Sequence, residues 1–459
     1  MRSRAEVALL LATVMQALDA TTVNVALPQI AGMFRIDAAA ASWVITAYLV
    51  SAAITMPIAG WLRARFGGGR TYFAVVVGYA TASLVCGLAP SVAVLVSARA
   101  VLGGCAGIIL PLTQALLLDL SPQSRHSTVL ARWGSAIVFG PIVGPIIGGI
   151  LTQGGVWPWI FFINIPISVL ALAGLAGAAP HLPEAERSTG KGIDAVGIIL
   201  LILFITSFQL LLQSGLGTMR AAGWQWLLEA IASGGAVVML IRHLGRAQFP
   251  VVDPALFVDR NFTGAVLVNI VVGAIFYSTI TLVPALVEGP MGRGATLAGA
   301  LVAPRGVATM AAMLLMGRLT RTIDPRGFVG CGLLLTAIAL GMLAAAVDGE
   351  DLLWLVLANL VLGVGAGTLI TPLSVLTFLT IGADSRTEAA GLYNLARQLG
   401  GAVGVAAVTA TVAVGRSGFF SAFALLTGLA VLTLPLISLF RVPKRSAVDD
   451  ASSSGDMES

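Results

Sequence analysis

Residues 101–125 read VLGGCAGIILPLTQALLLDLSPQSR, and residues 361–386 read VLGVGAGTLITPLSVLTFLTIGADSR. Val-Leu-Gly, Ala-Gly, Pro-Leu and the closing Ser-Arg recur at an offset of 260, which becomes 261 after one inserted residue. A second pair, Gly60-x-Leu62 and Gly317-x-Leu319, repeats the relation elsewhere in the chain. Two parallel copies of one helical unit account for both pairs. Such repeats, related about the membrane normal, are an architecture of membrane transporters.

Working outward, fourteen apolar stretches, from 6–32 to 418–440, are each long enough for a bilayer core of about 30 Å. The two repeat pairs are eight stretches apart. This offset predicts an all-α polytopic membrane protein made of two six-helix bundles, with two helices inserted between them. The expected division is 1–191 for the N-terminal bundle, 192–245 for the insert, 246–445 for the C-terminal bundle and 446–459 for a disordered cytoplasmic tail. The composition agrees: of 459 residues 58% are hydrophobic and only 10% charged, and the mean hydropathy is +0.96. A soluble protein carries about 25% charged residues, so a water-facing surface cannot be built from this chain. A transmembrane barrel would alternate over stretches of about ten residues, and these apolar runs are about twice as long.

The net charge of +5 does not mark a nucleic-acid surface. With the N-terminus inside, nineteen of the 26 basic residues fall on the inner side and four on the outer, while Arg99, Arg305 and Arg397 fall within spans. That is the positive-inside asymmetry, and it places both termini in the cytoplasm and the protein in the cell (inner) membrane. Cys86, Cys105 and Cys331 lie within spans and read as buried structural thiols; His126, His181 and His243 stand apart in inner loops. No metal site is expected from these spacings. The spans hold neither a His nor paired acids, so a membrane-embedded enzyme is disfavoured.

Most acids lie in loops or at span ends; Asp19 does not. Gln16 and Thr22 share its helical face, a small polar stripe suited to lining a cavity. An intramembrane carboxylate is costly, about 2.5–3.5 kcal/mol on insertion scales, and marks a proton or substrate pathway. At 1.5 Å per residue Asp19 lies roughly 20 Å from the inner start of its span. Arg99 lies about 10 Å below the outer face, the same level in a core of about 30 Å. Arg305 is also deep, as is Arg397 beside Asn394 and Gln398. In the fifth span, Ala136, Gly140, Gly144 and Gly148 repeat every four residues as a smooth ridge for close helix contact, beside Pro141 and Pro145.

Taken together, LDATTVNVALPQI in the first span and GPIVGPIIGGIL in the fifth resemble the major facilitator superfamily, and within it the fourteen-span drug:proton antiporters of the QacA/EmrB type. RAVLGGCAG, WPWIFFINIPI, FPVVDPALFVDRNF, APRGVATM and LYNLARQLGGAVG extend the resemblance over nearly the whole chain. It implies a proton-coupled efflux antiporter exporting amphipathic organic compounds or drugs by alternating access. The gradient, and no cofactor, would drive it, with protons, a small-molecule substrate and the lipid bilayer as partners and room for a periplasmic adaptor. An exporter dedicated to one endogenous metabolite is the alternative.

In residue terms the resemblance assigns Asp19 and Arg99 to proton coupling, while helix face and depth make Gln16, Thr22, Asn394 and Arg397 the expected lining of the substrate cavity. Gly140, Pro141, Gly144, Pro145, Gly148 and Gly149 form the antiporter motif. The inner loop GWLRARFGGGR keeps Gly60, Leu62, Arg65 and Gly67, but Ala64 stands where the family has an acid. An acid-centred latch is therefore not expected there, with Arg65 left to reach a helix C-terminus or lipid phosphate. Leu102 and Pro158 replace the usual Gln and Arg of two other motifs, and the last outer loop has shrunk to about GRSG.

Overall fold

Loop acids start many of the helices. Asp37 accepts a hydrogen bond from the Ala40 backbone N–H at 2.7 Å, Asp259 from Phe262 at 2.9 Å and Asp351 from Leu353 at 2.9 Å. Asp324 and Ser91 do the same for Arg326 and Val94. Each satisfies a backbone donor that the first helical turn leaves free. These caps explain why acids gather at span ends, and they leave Asp19 as the exception.

The computed structural model describes residues 2–152, 156–176, 192, 194–217, 223–347, 349, 351–412 and 415–442. The connection 177–191, with His181, and the expected tail 446–459 lie outside the described residues. The N-terminal half holds α1 (Arg2–Phe34), α2 (Ala38–Thr55), α3 (Ile58–Phe66), α4 (Gly68–Gly87), α5 (Val92–Asp119), α6 (His126–Thr152), α7 (Trp159–Phe162) and α8 (Asn164–Ala176). Next come α9 (Ala195–Gly217) and α10 (Gly223–Leu244). The C-terminal half holds α11 (Arg260–Glu288), α12 (Ala295–Leu319), α13 (Pro325–Ala345), α14 (Leu352–Phe378), α15 (Arg386–Val412) and α16 (Arg416–Thr433). There is no strand among the described residues.

Among the described residues eleven helices are long and apolar enough to cross a membrane, and up to thirteen when each of two bent pairs is taken as one span. One pair, α2 and α3, bends by 57° at Pro57, whose ring cannot continue the helical ladder. In the expected series of fourteen, α4 is the remaining member, and its Gly, Arg and Thr content lowers its apolarity.

The two halves repeat each other in their contacts. Gly103 and Gly107 of α5 lie against the Tyr48 and Ala52 carbonyls of α2, where a Cβ would overlap; Gly363 and Gly367 of α14 lie likewise against the Arg305 and Thr309 carbonyls of α12. Gly140 of α6 meets the Ala17 carbonyl of α1, and Gly400 of α15 meets the Ile270 carbonyl of α11. Small residues in these rows let the helix backbones touch, which lipid does nothing to oppose. Helices α9 and α10 pack on each other, and α9 touches α2 and α15, one helix of each half. Asp194 ties the pair to the loop that follows, accepting from His243 at 2.6 Å and from the Val251 backbone N–H at 2.9 Å.

The expectation of buried thiols needs correction at one place. Cys86 is buried, Cys105 is partly covered, and Cys331 is exposed on α13, because the α13 face that packs on α14 is carried by Val329, Gly332 and Thr336 instead.

Candidate functional site

The turn of α1 around Asp19 is gripped from three sides. Arg99 of α5 places Nη1 2.6 Å from Asp19 Oδ2, and Asn164, at the start of α8, donates from Nδ2 to Oδ1 at 3.1 Å. Asp19 and Arg99 are each 1% exposed. The Arg99 Nε also donates to the Val44 carbonyl at 3.1 Å, and its guanidinium lies over the Tyr48 ring at 4.2 Å. Ser83 of α4 accepts from Asn164 at 3.0 Å and donates its own hydroxyl to the Phe161 carbonyl at 2.9 Å. Two elements, α5 and α8, thus supply the carboxylate's partners, and three more, α2, α4 and α7, hold those partners in place. A buried charge needs a counter-charge and hydrogen bonds on its remaining atoms, and this cluster provides both.

The α6 ridge completes the site on the fourth side. Gly140 and Gly144 bring the α6 backbone against Ala17 and Thr21, the residues flanking Asp19, and Gly148 does so against Thr22. Thr21 Oγ1 donates to the Gly140 carbonyl at 3.1 Å, outside the helix's own ladder. Three glycines at a spacing of four therefore hold the acid-bearing turn. Pro141 lies on this helix partly covered, and Gly149 has open space where a Cβ would stand. The side chain of Pro145 lies outside the described residues, while its backbone falls at a 41° bend of α6.

The expected cavity residues divide into two groups. Half-buried Gln16 donates to the Tyr48 hydroxyl at 3.3 Å and so joins the Asp19 cluster through Tyr48. Thr22 is 1% exposed and packs on α6. Asn394 and Arg397 sit together on the other half: Arg397 Nη2 donates to Asn394 Oδ1 at 2.9 Å, and Asn394 Nδ2 donates across the molecule to Gln114 Oε1 at 3.0 Å. Gln398 crosses as well, to the Leu49 carbonyl at 2.9 Å.

The inner loop differs from its expectation in two ways. The cation that docks is Arg63, 5% exposed, whereas Arg65 is exposed. The acid absent at Ala64 is supplied by Asp119 at the end of α5, which receives Arg63 Nη2 at 2.5 Å and Arg386 Nη1 of the opposite half at 2.8 Å. An acid-centred latch is therefore present, with its acid carried on another helix. Arg63 Nη1 also donates to Thr387 at 2.8 Å, and Gly60 meets the Glu388 backbone. Leu62 accepts a bond from Thr71 at its carbonyl, and Gly67 turns the chain at φ +83°, a region open to glycine. Ser127 and Thr128 of α6 add bonds to the Gly317 carbonyl of α12 at 2.9 and 3.1 Å. These ties between the halves gather at one end of the bundle, the end that carries the GWLRARFGGGR loop, and close the halves on each other there.

Asn164, Ser83, Tyr48 and Asp119 escaped sequence reasoning. Asn164 stands inside WPWIFFINIPI, where one amide amid apolar residues was the signal available. Asp119 looked like one more acid at a span end.

The Major Facilitator Superfamily profile matches residues 9–405 and 265–456. The chain is 32% identical over 408 residues to the multidrug export protein EmrB of Escherichia coli (strain K12), covering 88% of this chain and 78% of that protein. It is 32% identical over 408 residues to the fatty acid resistance protein FarB of Neisseria gonorrhoeae, covering 87% and 78%. In fold it is similar to the proton:xylose symporter XylE, with TM-score 0.66 at 15% identity, covering 95% of each chain. It is similar too to the human organic anion transporter MFSD10, with TM-score 0.68 at 16% identity, covering 95% of this chain and 99% of that one. Apolar helices in this number, two repeated halves and these relatives agree: the chain is a multi-pass inner-membrane protein of the major facilitator superfamily, in its EmrB-like drug:proton antiporter family.

Proposed function

We propose that this protein exports amphipathic organic compounds in exchange for protons, alternating access between its two halves, with both termini in the cytoplasm and fourteen spans. The observation that carries the reading is the Asp19–Arg99 ion pair, sealed by the α6 glycine ridge on one side and Asn164 on the other. A proton on Asp19 removes the negative charge that holds Arg99, and Arg99 is then free to keep only its carbonyl and ring contacts. The two protonation states therefore favour different packings of α1 against α5 and α6. Coupling needs such a difference, since a ligand shifts a conformational equilibrium only through unequal affinity for its states. The gradient supplies the drive in place of a cofactor, and the protein works as a transporter and not as an enzyme. The membrane potential adds about 2.3 kcal/mol per charge per 100 mV, enough for useful accumulation with one proton.

Dye accumulation in energised inverted vesicles tests this directly. Uptake that collapses when the pH difference is dissipated is expected. Uptake that persists unchanged without any proton gradient would remove the antiport reading.

A further inference from the structure

The repeat places a second polar cluster in the C-terminal half, net positive where the first is a neutral ion pair. Gly103 fixes Tyr48 beside α5, and Gly363 fixes Arg305 beside α14 in the same way. Arg305 therefore stands where the other half has Tyr48. Four residues before each glycine, Arg99 on α5 corresponds to Asn359 on α14. Two residues after the carbonyls that Gly140 and Gly400 meet, Asp19 on α1 corresponds to Val272 on α11. The carboxylate is gone from the second pocket, and a guanidinium has been added.

Arg305 is 4% exposed. Its Nη2 donates to the Phe276 carbonyl at a long 3.4 Å, its guanidinium lies 5.0 Å from the Phe276 ring centre, and its Nη1 has no hydrogen-bond partner among the described residues. The Asn359 Oδ1, also buried, is unbonded. By rise along α12, Arg305 lies about 15 Å from the outer end of its helix, near the middle of the bilayer. Arg397, at similar depth on α15, has an amide for a partner and no acid. Of the deep charges, Asp19 is already matched by Arg99, so among the described residues Arg305 and Arg397 lie deep in the C-terminal half with no carboxylate bonded to them. A buried guanidinium with an unsatisfied N–H group is costly until an anion or acceptor reaches it, and its planar fork suits a carboxylate.

We infer that Arg305 receives the anionic head group of the exported compound, so that the cargo includes amphiphiles bearing a carboxylate. The inference rests on the efflux reading and names its substrate class. The apolar tail would then lie among the residues between the halves, while the head group takes the place that Asp19 fills in the other pocket.

Two xanthene dyes of similar shape test it: fluorescein, which carries a free carboxylate, and rhodamine 6G, an esterified cation. Both are measured for gradient-driven uptake into inverted vesicles and for fluorescence binding to the purified protein, which needs no turnover. R305Q should weaken fluorescein binding and uptake at least tenfold more than it weakens those of rhodamine 6G. R305K, which keeps the charge, should restore part of the loss. An equal fall for both dyes in R305Q, with no rescue by R305K, would make Arg305 a packing residue and overturn the inference. Failure of the wild-type protein to bind fluorescein would overturn it too, even if rhodamine 6G is exported. If the wild-type protein binds fluorescein through Arg305 but moves neither dye with the gradient, the efflux reading fails and the anion site stands.

Discussion

Asp19 and Arg99 meet at 2.6 Å, and residue-level reasoning from depth alone had put them on one level. A charge in an apolar span carries a large cost, so it shows in a sequence. Asn164 and Tyr48 carry no such cost, and their place at the carboxylate follows from how α8 and α2 cross α1, which spacing along one helix cannot give. The pair makes a direct prediction. Asp19→Asn should abolish uphill, gradient-driven export while leaving substrate exchange down its own gradient, because the amide keeps a hydrogen bond to Arg99 but cannot release a proton. Retention of full uphill transport by this variant would move coupling to another residue. Removing one partner of a buried pair destabilises by about 3–5 kcal/mol. Arg99→Ala, which strands the carboxylate, should accordingly lower the melting temperature in detergent more than Asp19→Asn does.

At the scale of elements, the glycine ridge of α6 was legible because four-residue spacing is a helix property. What it packs against was not, since the partner helix is chosen by the whole bundle. The structure separates glycines that the motif alone treats alike. Gly140 lies on the Ala17 carbonyl, and Gly149 faces open space. Gly140→Ala must push α1 and α6 apart next to Asp19; overpacking of this kind costs about 1–3 kcal/mol. It should lower both thermal stability and transport, while Gly149→Ala should change neither by more than a small fraction. Equal effects from the two substitutions would show that the ridge acts through helix flexibility and not through contact with α1. The inner loop gives the opposite lesson. Matching it to a motif singled out Arg65, yet the phase of α3 turns Arg63 inward, and the acid it meets is 56 positions later in the chain. Asp119→Asn should leave two cations there without a carboxylate and loosen the latch, seen as faster labelling of a cysteine placed on its inner surface.

Across the whole molecule, the internal repeat carried the fold. Once two halves are related by one offset, their glycine rows pair the same helices in each, and the structure shows that pairing on both sides. The repeat could not say at which end the halves close on each other, because either state keeps the contacts within a half and exchanges those between halves. That information lies in the ties Arg63–Asp119–Arg386, Thr128–Gly317 and Gly60–Glu388. They also supply the means of testing alternation. A Cβ built on Gly60 would come 2.8 Å from the Glu388 Cβ, and a disulfide asks for about 3.5–4.5 Å between Cβ atoms, a separation that a small shift provides. In a background with Cys86, Cys105 and Cys331 replaced, the Gly60→Cys/Glu388→Cys pair should cross-link under mild oxidation, because the two positions adjoin across the halves. The cross-link should stop export, and reduction should restore it, since substrate must enter from the cytoplasm through this seam. Full export by the cross-linked protein would show that the two halves need not part here, and alternating access through the inner face would have to be abandoned.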